Sequence, residues 1–591
     1  MKYLKFLWLF VFIGMIACSE DFLEKLPTSD LSANNLDITK IQELRNSVYG
    51  SIPGANTSFD TNTDNAYARN SWDSHGRLIQ TNTVSPAQGF GYSSHYGSIR
   101  DCNILIAKLK EFDLDPELVD IYSAESKMMR AWQYMTLTLK YGDVPLVDTL
   151  VNDLPDGIAR EDKEIVRSWV LTELQDAADV LPKENDPGKF NKGMAYALKA
   201  RAAYYFGNYE IAESASEWVI ANGGYSLFEV DELTAEEEKE IEFYKTLIDF
   251  DAYGLDEEAF TKGMYNFKNL WYYDNNSESI IAKEFVVILD EWGKYDFDRY
   301  ASFLTPQLTD KWGWNIFPPV QQLTDSYWLA NGSSNPTLPD METRKDYYNE
   351  LRDEIQTLQD DNSLTYSEAV ASIKDELHEK DYLGEFKNRD SRLYASIMFP
   401  FVNVETYKEN EYLEYIYSQN NYGQTGYVWK KFSGGDDVAS MYYELTYGSG
   451  ADWHLLRLTE MLLIYAEART QNTGYDNQVT TELNKLRDRC GMPHVPTGLG
   501  KEDALDFIRR ERRIELAGEG HRHYDIRLYE DTERNGGYKG KEAASAVMKG
   551  DIYDPEGHLD VTMTWDPRLL YLPIPTDARD KNPLLDQNDG Y

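Results

Sequence analysis

The sequence predicts a mainly α fold, a scaffold of paired helices carrying a loop-rich, aromatic second part. Three observations carry that expectation. Leu455 to Arg469 reads LLRLTEMLLIYAEAR, an apolar run with Arg457, Glu460, Glu467 and Arg469 set inside it, which is the pattern of a mostly buried helix. Ile508 to Leu528, IRRERRIELAGEGHRHYDIRL, interleaves Ile508, Ile514, Leu516 and Ala517 with arginines and glutamates. That spacing gives an apolar stripe to dock on the first helix and a face expected to form i,i+3 and i,i+4 ion pairs. Between about 230 and 450, by contrast, Trp271, Tyr272, Tyr273, Trp292, Tyr295, Tyr300, Trp312, Trp314, Phe317, Tyr327 and Trp328 follow no helical period.

Taken from the N-terminal side, apolar residues recur at helical spacing from Ile38 to Ile52 and from Tyr96 to Lys110. The stretch between, Asn62 to Tyr92, is rich in Asn, Thr, Ser and Gly and reads as loop. Its large or charged residues, Trp72, Asp73, His75, Arg77, Phe90 and Tyr92, stand on surface backbone, where function concentrates. The plainer alternative is that Trp72 and Phe90 pin the loop to the body. A helix over Ser123 to Lys140 stops at Tyr141-Gly142-Asp143-Val144-Pro145, a Gly and a Pro placed where termination requires them. Another is expected over 162–181. Ala195 to Phe206 and Glu210 to Ala221 form a pair joined at Gly207-Asn208-Tyr209, where Gly207, Tyr209 and Ala212 match the turn of a tetratricopeptide repeat. The acidic stretch 230–262 and the charged stretch 341–385 are expected to be solvated helical excursions.

Composition bounds the function. The chain has 591 residues, 42% of them hydrophobic, enough for a sizeable core. A formal charge of −42 excludes nucleic acid as a partner, because the summed field repels a polyanion. The arginines at 509, 510, 512 and 513 are offset locally by Glu511, Glu515 and Glu519, so that run too reads as a paired helix.

The first residues form an export signal. Lys2 and Lys5 precede an apolar stretch from Phe6 to Ile16, too short to span a membrane, and Ala17 stands before Cys18. Met15-Ile16-Ala17-Cys18 looks like a bacterial lipoprotein processing site, which makes 1–17 the signal peptide and Cys18 the lipidated first residue. Acyl chains on that residue would hold it to a membrane at about 0.8 kcal/mol per buried CH₂. The alternative is a plain secretory signal. Cys102 and Cys490 lie in apolar helical runs and are expected to be free buried thiols; the alternative is a bridge between them, which an exported protein can form.

No catalytic constellation is evident. The sequence has no GxSxG elbow, HExxH, CxxC or phosphate-cradling Gly loop, and no DxDxDG calcium loop. His521 and His523 stand at i,i+2, whereas zinc helices place ligands at i,i+4 to share a face. No catalytic residue, metal ligand or cofactor is therefore assigned. The 43 Tyr and 13 Trp exceed what a helical core requires, and sugar C–H faces dock on such rings while hydroxyls pair with Asp, Asn, Arg and Gln. A binding protein is the expected class. The alternatives are a glycoside hydrolase, whose carboxylates carry no local motif, and a peptide-binding or structural surface lipoprotein.

Five ordered segments, LRLTEMLLIYAEA, LNKLRDRCGMP, IRRERRIELAGEGHRHYDIRLY, YLPIP at Tyr571 to Pro575 and NPLLDQNDGY, resemble the C-terminal half of the SusD/RagB family of outer-membrane nutrient-binding lipoproteins. MMRAWQYMTLTLKYGDVPLV, GWNIFPPVQQLTDSYWLANG and FKNRDSRLYASIMFP extend the resemblance over most of the chain, with the two charged stretches as departures. The resemblance implies one SusD-like domain over 18–591, with parts at about 18–228, 229–450 and 451–591. It implies a surface-exposed position on the outer membrane, anchored through Cys18; Ser19-Glu20-Asp21 is similar to the acidic export signal of Bacteroidetes lipoproteins. It also implies an oligosaccharide ligand and a SusC-like TonB-dependent transporter as partner. The family's ligand face is made by the loop before the second N-terminal helix and by a later aromatic segment. On this sequence the first gives Trp72, Asp73, Arg77, Tyr92 and His95, with Tyr92 in place of the usual Trp, and the second gives Trp292, Tyr295, Trp312 and Trp314.

Overall fold

The structure, a computed structural model, describes residues 38–54, 57–68, 74–151, 157–273, 276–284, 316–333, 338–373, 381–399, 425–432, 452–534, 537–553 and 561–591. The signal segment and Cys18 lie outside the described residues. The fold is mainly helical. Its first part comprises α1 (Ile38–Gly50), the short α2 (Gly76–Gln80), α3 (Tyr92–Leu109), α4 (Pro116–Tyr141), α5 (Lys163–Val180), α6 (Lys192–Tyr205) and α7 (Tyr209–Asn222). Local chemistry sets the ends of these helices. Asp115 caps α4 by accepting from the Glu117 amide with Pro116 in the first turn, and Asp162, Asn191 and Asn208 cap α5, α6 and α7 in the same way. Each helix from α3 to α7 packs on the next. The α6–α7 bend turns at Gly207, whose φ of 74° is left-handed.

The next elements are α8 (Ala235–Lys245), α9 (Glu257–Lys268), β1 (Ser279–Lys283), α10 (Met341–Asn362), α11 (Ser391–Ser396), β2 (Ile397–Met398), β3 (Val428–Trp429) and β4 (Trp453–Arg457). The C-terminal part holds α12 (Leu458–Asn472), α13 (Asn477–Arg489), α14 (Lys501–Glu515) and α15 (Arg522–Arg534), followed by β5 (Lys549–Asp551) and β6 (Thr562–Thr564). Three antiparallel two-stranded ribbons, β1–β4, β2–β3 and β5–β6, are the sheets among the described residues. Two apolar clusters form the interior. One runs through the N-terminal helices and α12–α15; the other gathers aromatics of the middle part, including Trp271, Trp328, Phe386, Phe399 and Trp429.

The structure departs from the sequence reading at several places. The stretch read as surface loop, Asn62 to Tyr92, is buried from Asn62 to Ala68 and helical at Gly76–Gln80. Leu455 to Arg457 is strand, paired with β1, so the buried helix begins at Leu458. Ile508 to Leu528 is two helices, parted at Leu516 to His521. Gly518 sits there at φ 81°, and a Cβ on it would lie 2.8 Å from Phe432 Cε2 and 3.2 Å from Trp429 Cζ3. The charged face of α14 makes its ion pairs with distant segments in place of i,i+4 neighbours. Arg509 pairs with Glu467 at 2.9 Å, Arg512 with Asp525 at 2.9 Å, and Glu511 with Arg392 at 2.9 Å and Arg487 at 2.6 Å, all buried. The two charged stretches are docked on the body. Glu240 of α8 meets Lys430 at 2.5 Å and Tyr265 at 2.6 Å, and Arg344 of α10 meets Glu385 at 2.9 Å. In both cases one charged side chain meets a partner outside the helix, while Glu238, Glu242, Glu350, Arg352 and Asp353 stay exposed as expected.

The thiols of Cys102 and Cys490 are free and buried, and burial pushes them up to about 12 and about 11. Among the described residues no helix is long and apolar enough to cross a membrane.

Candidate functional site

The site is built on a buried polar segment, Asp60 to Ala68. Asp64 lies 2.7 Å from Arg513 and 2.9 Å from Arg522; burial favours its neutral form, but the two guanidiniums outweigh it and hold the carboxyl at about 2. Asp60 accepts from the Gly518 amide at 2.6 Å, and burial lifts its carboxyl to about 6. The Gln80 amide donates to the Thr63 and Ala66 carbonyls at 2.9 Å each, fastening α2 to this segment. Gly76 lets α2 approach: a Cβ there would stand 2.3 Å from Thr61 Oγ1.

After α2 the chain is tied to the C-terminal residues. Arg568 donates to the Asn82 carbonyl at 2.7 Å, and the Thr576 amide donates to Pro86 at 2.9 Å. The next turn, Gly89 to Gly91, is clamped by the end of α4. Tyr141 Oη donates to the Gly89 carbonyl at 2.9 Å and Lys140 Nζ to the Phe90 carbonyl at 3.3 Å. Phe90 has φ 44°, a left-handed backbone that a bulky residue adopts only when its surroundings impose it, at a cost of about 1–3 kcal/mol. The result is a partly buried Phe90 ring 4.5 Å from the exposed His75 ring, inclined at 43°. Gly91 then caps α3 at φ 85°.

His95 stands one helical turn along α3, partly buried, with Nδ1 2.8 Å from Gln133 Oε1. Burial, and then Lys140, lower its imidazole to about 4, so it is neutral at neutral pH. The same two causes lower His75. Burial brings Lys140 itself down to about 8. Chemically, the turn offers an aromatic face, neutral imidazoles able to donate or accept, and exposed serines at 93 and 94.

Of the residues expected from sequence, Arg77 lies partly buried on α2 and His95 on α3, both close to this turn in the chain. Tyr92 is different: it is 4% exposed, packed edge-on against Tyr141 at 5.0 Å and tilted against Tyr96 at 5.1 Å. Its ring is occupied by packing because the first turn of α3 points it inward, while Phe90 is partly buried, packed on the same core and in contact with the exposed His75. Trp72, Asp73, Trp292, Tyr295, Trp312 and Trp314 lie outside the described residues. Lys140, Tyr141 and Gln133 were missed by the sequence reading. They lie some forty to fifty residues from the turn, and no local pattern announces the contact. His521 and His523 diverge to separate partners, the Tyr205 hydroxyl at 3.2 Å and Arg527 at 3.0 Å. Of the other aromatics singled out, Trp271, Phe317, Tyr327 and Trp328 are buried, whereas Tyr273 is 49% exposed.

Comparison with known proteins places this architecture. A family model described as the SusD family matches residues 277–591, and one described as starch-binding associating with outer membrane matches 21–204. SusD-like protein P38 of Formosa agariphila is 23% identical over 76% of this chain and 74% of its own. SusD-like protein P25 of the same organism is 22% identical over 84% and 77%. A crystal structure of a SusD-like protein from Bacteroides fragilis aligns with a TM-score of 0.67 at 20% identity, covering 94% of this chain and 97% of that one. Surface glycan-binding protein A from Bacteroides thetaiotaomicron, in complex with laminarihexaose, aligns with a TM-score of 0.61 at 17% identity, covering 93% and 99%. These likenesses show a shared fold.

Proposed function

The chain belongs to the SusD family, and from that premise we propose that it is a cell-surface lipoprotein that binds an oligosaccharide and delivers it to a SusC-like TonB-dependent transporter of the outer membrane. The observation that carries the binding half is the clamped turn. A strained backbone at Phe90, held by Lys140 and Tyr141, sets a partly buried aromatic ring beside an exposed imidazole. A sugar ring lays its C–H face on such a ring while its hydroxyls pair with neighbouring polar groups. Phe90 and His75 are the stacking pair in this reading, with His95 and Arg77 as hydrogen-bonding neighbours. Trp72 and Asp73, just before His75 in sequence, and the later aromatics Trp292, Tyr295, Trp312 and Trp314 complete the proposed ligand face.

Two solved neighbours support a glycan: one is a laminarin-binding SusD-like protein, another is in complex with laminarihexaose. Laminarihexaose therefore leads the ligand panel, ahead of other neutral oligosaccharides. The outer-membrane association in the description of the N-terminal family model supports the location, with Cys18 as the anchor and the transporter as partner. The protein acts here as a binder, not an enzyme. The test is calorimetric titration of the panel beside an assay for reducing ends. Saturable binding without release of reducing ends is expected. Release of reducing ends would replace this reading with a glycoside hydrolase, and binding of peptides alone would replace the glycan. Changing Cys18 to Ala should release the protein from the membrane fraction; a variant that stays fully bound would remove the anchor.

A further inference from the structure

A cavity of about 240 Å³ opens where the α6–α7 bend meets α15. It is smaller than the roughly 300–1,000 Å³ of sites for drug-sized ligands, so it suits a single ring-sized unit and not a chain. Its walls include Tyr205 and Phe206 at the bend, Leu139 at the end of α4, Tyr524 on α15, and Tyr571. Two guanidiniums also line it, Arg167 of α5 and Arg527 of α15, 7% and 5% exposed.

Each arginine keeps one buried nitrogen without a hydrogen bond among the described residues. Arg527 gives Nε to the Leu569 carbonyl at 3.2 Å and Nη1 to the His523 carbonyl at 2.9 Å, while Nη2 makes no hydrogen bond among the described residues. Arg167 gives Nη1 to Glu164 at 3.0 Å, and its Nε is likewise without a hydrogen bond. Arg512, one helix away and as deeply buried, ends on the carboxylate of Asp525. Arg527 ends on carbonyls and an imidazole, and burial lowers its guanidinium to about 10. A buried guanidinium without a counter-ion is costly, and an incoming anion relieves the cost. The remaining lining favours a sugar over a simple anion. Asp531, Thr532 and Gln471 supply acceptors and donors at the scale of ring hydroxyls, and the tyrosines supply flat faces. The overall charge of −42 opposes long polyanions, but its field is screened beyond about 8 Å at physiological salt and acts weakly on one carboxylate.

We propose that this cavity is a second ligand site, separate from the turn at Phe90, that takes one hexuronate unit with its carboxylate toward Arg527 and Arg167 and its ring against the tyrosines. The site does not depend on the oligosaccharide reading of the turn.

Titration of the full chain with glucuronate, galacturonate, glucose, galactose and acetate tests it. One of the uronates should bind at least tenfold more tightly than the matching neutral hexose and than acetate. Arg527→Gln and Arg167→Gln should each weaken the uronate tenfold or more. Arg527 also holds the Leu569 carbonyl, so if its variant melts early the Arg167 variant decides. Uronate affinity unchanged in a variant that melts like the parent would overturn the proposal. So would a neutral hexose bound as well as its uronate. Acetate bound as tightly as the uronate would reduce the site to a simple anion pocket and remove the sugar. Loss of the uronate signal on saturation with an oligosaccharide bound at the turn would place it there instead.

Discussion

Lys140 Nζ donates to the carbonyl of Phe90 at 3.3 Å, so the end of a long buried helix holds a bulky residue in a left-handed backbone fifty positions earlier. The same lysine lowers the imidazoles of His75 and His95, after burial has done so. A stability element and the proposed binding turn therefore share one side chain.

Lys140 should make stability rise with pH. Burial lowers it from 10.5 to about 8. Below 8 it is charged in both states and the folded protein bears the full burial cost, on the order of 3 kcal/mol. Between about 8 and 10.5 the unfolded chain binds more protons than the folded one, so stability rises, and above 10.5 the cost is gone. Lys140→Met should be more stable than the parent at pH 7 in urea unfolding, less the loss of the Phe90 contact. That advantage should vanish by pH 10.5. An advantage independent of pH would show that Lys140 is not desolvated.

Phe90→Ala should weaken oligosaccharide binding by about five- to thirtyfold, a loss of about 1–2 kcal/mol of stacking. The melting temperature should hold. Phe90→Gly, which relieves the backbone at φ 44°, should melt no lower than the alanine variant. Calorimetry with scanning measurements on both variants decides. An alanine variant that binds like the parent would remove Phe90 from the ligand face.

Gly518→Ala should destabilise by well over 1 kcal/mol. It adds a side chain at φ 81° and drives a Cβ to within 2.8 Å of Phe432 in a packed aromatic cluster. A melting temperature within a degree of the parent would mean that the α14–α15 break tolerates a side chain.

Much of the fold is legible because its signals are local. The α6–α7 bend shows in Gly207 and Asn208, one left-handed and the other capping, and the end of α4 shows in Gly142. What the sequence hides is decided across distance. Leu455 to Arg457 suits helix or strand equally; the pairing of β4 with Ser279–Lys283 settles it. Glu511 looks like a surface partner for arginines on its own helix, yet it is fully buried and reaches Arg392 and Arg487. At the site, helical phase sends Tyr92 fully inward, whereas Phe90 stays partly buried beside His75 because Lys140 and Tyr141 hold the turn. The loop could be marked as a place for recognition; the choice between two aromatics two residues apart could not.

The buried charges give the last prediction. Glu515 lies between Arg457 at 3.1 Å, Arg392 at 3.0 Å and Arg489, all fully buried. Burial alone would push its carboxyl up, but Arg489, Arg457 and Arg392 together hold it well below the usual carboxylate range. A folded-state value below the unfolded one means the stabilisation is full above about 4.3 and is lost as pH falls toward the folded value. Glu515→Gln keeps the shape and removes the charge, leaving buried guanidiniums without their shared counter-ion. It should cost about 3–5 kcal/mol at pH 7. The gap between parent and variant should stay constant from pH 7 to about 5 and narrow below about 4, as the parent's carboxylate loses its advantage. Urea unfolding at pH 7, 5 and 3.5 measures both parts. A gap that widened at low pH would reverse the sign of the shift, and one below about 1 kcal/mol at pH 7 would show that the guanidiniums find other partners.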